Sequence, residues 1–140
     1  MGERKLDWDI HYISNNVECS DCGKREKAFP NYICDAHTHG MSKYDHMEFQ
    51  LVIDYGPQEI CRLLNTMGLR VRHGERFAGG DHVSGLYEDC EVQLREVTDC
   101  DGNPILRLVI PDRQNRLPEQ SEAPFTYQML ATGILYSGGR

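Results

Sequence analysis

The stretch between residues 57 and 73 constrains the fold most, because its pattern fits a single long amphipathic helix. Pro57 stands at the first helical position, where its missing N–H is no loss. Five large apolar residues then recur at helical spacing and define one face: Ile60, Leu63, Leu64, Met67 and Val71. Gly74 fits a C-terminal cap, whereas Gly68 interrupts the helix and costs about 1 kcal/mol relative to alanine. Each apolar side chain contributes about 1.5–3 kcal/mol when buried, so this helix needs a second layer to pack on.

Strand patterns on both sides of this helix predict that the second layer is a sheet. The segment Phe49–Ile53 is apolar and rich in strand-forming residues. Residues 91–97 alternate apolar and polar side chains, residues 99–104 favour a turn, and residues 105–110 form the return strand of a hairpin. A chain of 140 residues with 39 % apolar residues supports one core. We therefore predict a single α+β domain over residues 1–140, with one main helix packed on a mostly antiparallel sheet and a loose C-terminal tail.

The balance of charge argues against nucleic acid as a partner. The chain has 15 basic and 22 acidic residues, a formal net charge of −7, and an acidic protein repels phosphate backbones. The basic residues of the helix and the turn after it fit a solvated helix face and a favourable helix C-terminus: Arg62, Arg70, Arg72, His73 and Arg76.

Nothing in the sequence predicts a membrane segment. No apolar run approaches the roughly 18 residues that a membrane span needs, and the first residues lack the apolar stretch of a signal peptide. We therefore expect a cytoplasmic protein whose six cysteines stay reduced. Such cysteines are metal ligands or buried small hydrophobic residues.

A cluster of cysteines and histidines in the first third of the chain is typical of a zinc site. Cys19 and Cys22 are separated by two residues, and Cys34 and His37 repeat that spacing. Zn²⁺ prefers four thiolate or imidazole ligands in a tetrahedron, which two such pairs supply. We predict a metal-binding knuckle at residues 19–39 whose ligands are Cys19, Cys22, Cys34 and His37. His39 could replace His37 as the fourth ligand, because alternate residues of an extended chain face the same side.

The same segment allows two other functions. His39, His46 and Glu48 form a candidate second site, and with His37 they could hold a metal with an open position for water. The protein would then be a small metal-dependent hydrolase; a thiol-dependent hydrolase would instead use Cys34, activated by His37. The third possibility is a metal-free module that binds a small molecule or a protein. Zinc binding without an assigned biochemical role is the favoured interpretation.

Two stretches of the chain resemble known families. Asp35-Ala36-His37-Thr38-His39 is similar to the first metal motif of the amidohydrolases, but their barrel needs roughly 200 residues or more and does not fit in this chain. A broader similarity rests on the segment from Tyr32 to Met41, on His46-Met47-Glu48-Phe49-Gln50, on Leu63-Leu64-Asn65, on Gly74-Glu75-Arg76-Phe77, and on Tyr87-Glu88-Asp89-Cys90. Through these motifs, residues 29–109 resemble the uncharacterised bacterial family catalogued as domain of unknown function 4262, although Met47 replaces its usual proline. The resemblance implies an α+β domain with an antiparallel sheet and no assigned activity. It carries over His37, His39, His46 and Glu48 as a candidate site.

Overall fold

In the part of the chain that the structure describes, three strands precede the main helix and three follow it. This structure is a computed structural model, and it describes residues 6–14, 29–99 and 101–136. In chain order its elements are β1 (Asp9–Ile13), β2 (Ile33–His39), β3 (Phe49–Ile53), α1 (Pro57–Arg72), β4 (His82–Val83), β5 (Val92–Thr98), β6 (Pro104–Val109) and α2 (Thr132–Tyr136). Short 3₁₀ turns lie at Met41–Tyr44, Pro118–Gln120 and Phe125–Met129. The predicted α+β class and the single main helix are confirmed.

The strands belong to one mixed sheet, in the order β1-β2-β3-β6-β5-β4. Four neighbouring pairs are antiparallel, whereas β3 and β6 run parallel. After β3 the chain passes through α1, the edge strand β4 and its neighbour β5 before β6 enters the sheet beside β3 and in the same direction. The prediction of a mostly antiparallel sheet is therefore corrected to a mixed sheet. The β5–β6 hairpin is confirmed.

The apolar face of α1 packs on one side of the sheet, as predicted. Its five large apolar side chains are all buried against residues of β2, β3, β5 and β6. Trp8, just before β1, lies across the helix, and its indole N–H donates to Oδ1 of Asn65 at 2.9 Å. A Cβ added to Gly68 would lie 2.6 Å from the Trp8 ring. Gly68 is therefore the position that lets the indole approach the helix backbone.

A buried polar row crosses the opposite face of the sheet. His37, Gln50 and Arg107 occupy paired positions on β2, β3 and β6. Arg107 is fully buried, and it donates to Oε1 of Gln50 at 2.7 Å and to the carbonyl of Gln128 at 2.8 Å. The Gln50 amide donates to Oδ1 of Asp35 at 3.0 Å. These bonds link β2, β3 and β6 to the C-terminal segment that contains Gln128.

The C-terminal segment, residues 125–136, covers this face of the sheet. Its Leu135 is buried in a second apolar cluster with Ile13 and Val52. Tyr136 donates from its hydroxyl to Oδ2 of Asp35 at 2.8 Å. The segment is thus anchored through both apolar and polar contacts. Residues 137–140 of the predicted loose tail lie outside the described residues.

Candidate functional site

Cys34 and His37, half of the predicted zinc ligand set, lie on opposite faces of β2. The segment is a strand and not the turn that a pair of ligands with two residues between them requires. Side chains three residues apart on a strand point to opposite sides. Cys34 is fully buried in the core under α1, where its thiol lies 3.7 Å from the carbonyl oxygen of Leu51. His37 faces the other side, beside Asp35, so one ion does not contact both residues.

The prediction of a zinc-binding domain is wrong. Within residues 6–14, 29–99 and 101–136, no group of three or more His, Cys, Asp or Glu side chains is placed to hold a metal ion. The alternative hypothesis of a metal-dependent hydrolase is wrong for the same reason. Cys19 and Cys22 lie outside the described residues.

The surroundings of Cys34 argue against the hypothesis of a thiol-dependent hydrolase. Its burial, together with the nearby charges of Asp54 and Asp35, raises the pKa of the thiol far above its ordinary range. A nucleophilic cysteine needs the opposite, which is a stabilised thiolate within reach of solvent or substrate. Cys34 therefore acts as a small apolar residue of the core.

His46 holds the backbone of two loops together. Its Nδ1 lies 2.8 Å from the carbonyl oxygen of Met47, and its Nε2 accepts the backbone N–H of Phe77 at 3.0 Å. Because Nε2 accepts a hydrogen bond, the proton of the neutral ring is on Nδ1 and donates to Met47. Both ring nitrogens are thus used within the fold.

Glu48 holds the turn that follows β2. Its carboxylate accepts the Thr38 hydroxyl at 2.9 Å and the backbone N–H groups of Gly40 and Met41, each at 3.1 Å. These bonds satisfy donors that the end of the strand leaves unpaired. Of the predicted second site, His39 stacks on His11, His46 accepts the Phe77 N–H and Glu48 accepts the Thr38 hydroxyl; their role as a site stays a prediction.

Three imidazoles do meet on the face of the sheet opposite α1. The ring centroid of His11 lies 5.3 Å from that of His37 and 5.3 Å from that of His39. Next to them, the buried Asp35 carboxylate lies 3.1 Å from Nδ1 of His37. Burial raises the pKa of Asp35, but bonds from His37, Gln50 and Tyr136 and the His37 charge outweigh it, so the pKa is lowered. Asp35 is therefore an ionised anchor for His37 and the C-terminal segment.

A cavity of about 560 Å³ opens at the β4 edge of the sheet. This volume lies within the range of about 300–1,000 Å³ that is typical of small-molecule sites. One wall comes from residues 82–93 and the other from the loop after β6, residues 111–117. The lining residues are His82, Ser84, Gly85, Tyr87, Glu88, Cys90, Glu91, Gln93, Pro111, Asn115 and Leu117. We refer to this space as the Tyr87 cavity.

Helix α1 fixes the first wall of the Tyr87 cavity. Arg62 donates to the carbonyl of Leu86 at 3.1 Å, and its guanidinium lies over the Tyr87 ring, 5.3 Å from the centroid. The same guanidinium makes two 2.8 Å bonds to Glu59, which also accepts the Tyr87 hydroxyl at 3.1 Å. The tyrosine is thus held on its ring face and at its hydroxyl.

Arg70, eight residues after Arg62 on α1, likewise bonds both a carboxylate and a backbone carbonyl of the cavity wall. It donates to the Ser84 carbonyl at 2.9 Å and pairs with both carboxylate oxygens of Glu75 at 2.9 Å. Two of the basic residues assigned to a solvated helix face therefore tie the loop of residues 84–87 to α1. Pairing with Glu59 and Glu75 offsets their charge locally.

Asp112 fixes the second wall of the cavity. Its Oδ1 accepts the backbone N–H groups of Gln114 and Arg116 at 2.9 Å, and its Oδ2 accepts the Ser121 hydroxyl at 2.9 Å. Desolvation raises the pKa of Asp112, but bonds from Arg116, Ser121 and Gln114 outweigh it and lower the pKa to about 2. Asn115 adopts a positive φ of 61° in this loop, a conformation that asparagine tolerates better than most residues.

The charge of the cavity lining is negative. Glu88 and Glu91 belong to the lining, which contains no lysine or arginine among the described residues. Burial and the adjacent Asp89 raise the pKa of the Cys90 thiol. Burial, with the nearby Cys90 and Glu59, also raises the pKa of Tyr55 to about 12, although Arg113 acts in the opposite direction. Burial is the largest cause of both shifts and the nearby negative groups add to it, so a further negative charge is disfavoured here.

Sequence reasoning did not find the Tyr87 cavity, because its walls are distant in the chain. Its local signals were the turn-forming Gly85 and the Asp112-x-x-Asn115 pattern of a loop held by its own aspartate. These signals predict ordered loops, but they do not predict that the loops face each other.

No family model, curated protein or solved structure matches the chain. The resemblance to the uncharacterised bacterial family therefore stays a prediction. Among the helices that the structure describes, none is long and apolar enough to cross a membrane.

Proposed function

We propose that the protein binds a small organic molecule in the Tyr87 cavity. The observation that carries this proposal is a cavity of about 560 Å³ whose two walls are each held by hydrogen bonds. Walls that are already ordered lose little conformational entropy when a ligand binds. Of the predicted zinc ligands that the structure describes, neither Cys34 nor His37 lines the cavity.

The lining offers both kinds of contact that a small organic ligand needs. Pro111 and Leu117 supply apolar surface for a carbon skeleton. His82, Gln93 and Asn115 supply polar groups that orient a ligand.

Amide-detected NMR with a neutral aromatic probe tests the proposal. Titration of ¹⁵N-labelled protein with 1-naphthylmethanol should shift the backbone resonances of Ser84, Tyr87, Gln93 and Asn115 along saturable curves. A neutral probe separates occupation of the cavity from any effect of charge.

A cavity-filling variant is the matched control. Ser84→Trp places a large side chain at an exposed lining position and should abolish the saturable shifts. Ser42→Trp, exposed and outside the lining, should leave them unchanged. Shifts that do not saturate, or that persist in Ser84→Trp, would overturn the proposal.

A further inference from the structure

The polar groups of the Tyr87 cavity favour positive over negative ligands. Two lining carboxylates, Glu88 and Glu91, face no lysine or arginine within the lining that the structure describes. The chain as a whole has a formal net charge of −7, so the long-range field has the same sign. An anionic ligand would meet uncompensated repulsion, whereas a cation would be attracted and oriented.

Tyr87 also belongs to the lining, where charged groups of α1 hold it on its ring face and at its hydroxyl. Its hydroxyl hydrogen is donated to Glu59, so the oxygen lone pairs are what it can offer to a ligand. Arg62 lies over the ring at 5.3 Å and makes two 2.8 Å bonds to Glu59, so its positive charge is offset beside the cavity.

From the two lining carboxylates and the apolar surface beside them we propose that the ligand is an organic cation, an ammonium group carried on an apolar skeleton. This inference rests on the proposed function, since it names the ligand class for the same cavity. The ammonium group lies against Glu88 and Glu91, and the skeleton lies against Pro111 and Leu117. Opposite charges at such a partly solvated site add selectivity more than raw affinity.

Three probes of matched shape test the charge preference. Calorimetric titrations at pH 7 and low salt compare 1-naphthylmethylamine, 1-naphthylmethanol and 1-naphthoate. We expect the amine to bind about tenfold more tightly than the alcohol, and the carboxylate to bind most weakly. Raising the salt concentration should reduce the advantage of the amine, because exposed charges are screened.

Charge-neutralising variants test whether Glu88 and Glu91 cause the tighter binding of the amine. Glu88→Gln with Glu91→Gln should remove most of the roughly tenfold ratio between the affinities for the amine and for the alcohol, and this ratio is the readout. Both positions are exposed, so the double variant should retain the fold. Glu122→Gln, an exposed glutamate outside the lining, is the matched control and should behave as the wild type.

The outcomes separate this inference from the proposed function. If the alcohol and the carboxylate bind in the cavity as tightly as the amine, the ligand class is wrong and the cavity remains a binding site. If the amine's advantage survives the double variant, the assignment to the two glutamates is overturned. If none of the three probes binds, both proposals fail.

Discussion

Gly68 provides the space in which the Trp8 indole lies against α1. A methyl group there would sit 2.6 Å from the ring, and the indole is held in place by its bond to Asn65. We expect Gly68→Ala to lower the free energy of unfolding by about 1–3 kcal/mol, the range for an overpacked core. Urea unfolding followed by Trp8 fluorescence measures this directly.

A glycine in the other helix gives the control for this prediction. A Cβ at Gly133 has no neighbour within 4 Å, and its φ is compatible with alanine. Gly133→Ala should therefore leave stability unchanged or raise it by up to about 1 kcal/mol. Equal gains from both substitutions would show that Trp8 does not pack on Gly68.

Single residues also show why a ligand pattern read along the chain can mislead. Cys34 and His37 have the spacing of a zinc pair, but this spacing brings both side chains to one metal ion only when the segment forms a turn. In a strand, the same spacing sends the two side chains to opposite faces. His46 and Glu48 are predicted as members of a second site, but in the fold His46 bonds backbone groups and Glu48 accepts the Thr38 hydroxyl and backbone N–H groups.

Arg107 connects the central strands to the C-terminal segment. Burial lowers its pKa to about 10, so it stays charged at neutral pH. Arg107→Leu would leave Gln50 and the Gln128 carbonyl without this donor. We expect a loss of about 3–5 kcal/mol in the free energy of unfolding, together with faster proteolysis within residues 125–136.

An exposed arginine provides the comparison for Arg107. Arg76→Leu, in the turn after α1, should change the free energy of unfolding by less than about 0.5 kcal/mol. If Arg107→Leu behaved in the same way, the polar row would not be what anchors the C-terminal segment.

The loop that Asp112 holds should depend on pH in a defined window. The pKa of Asp112 is lowered to about 2 in the folded protein, so its contribution is fully present above the unfolded value of about 3.9. It is lost as the pH falls from about 4 to about 2. The stability difference between wild type and Asp112→Asn should therefore be constant from pH 7 to pH 5 and should shrink below pH 4. A difference that stays constant down to pH 2 would contradict the assignment.

The elements that depend on local patterns were predictable, and the pairing between distant strands was not. The apolar face of α1 and the β5–β6 hairpin follow from helical spacing and from a turn between two alternating segments. The parallel contact of β3 with β6 joins strands separated by α1, β4 and β5. No local feature specifies that partner, because either edge of the hairpin could have met β3.

At the scale of the whole molecule, the two faces of the sheet have different roles. One face of the sheet packs on α1 and forms the main apolar core. The other face carries His11, His37 and His39, and it also carries the Gln50–Arg107 pair, which the C-terminal segment covers. The Tyr87 cavity lies at the β4 edge, where loops from 82–93 and 111–117 approach each other. Its existence depends on the distance between those loops, which composition and spacing do not encode. The cytoplasmic location stays a prediction from the sequence.

A crystal structure of the protein with bound 1-naphthylmethylamine tests the central claim most directly. The account predicts that the naphthyl group lies against Pro111 and Leu117 in the Tyr87 cavity. Its ammonium nitrogen should lie within about 4 Å of a carboxylate oxygen of Glu88 or Glu91, the usual limit for an ion pair. A probe bound elsewhere on the protein, or an ammonium group directed away from both carboxylates, would contradict the account.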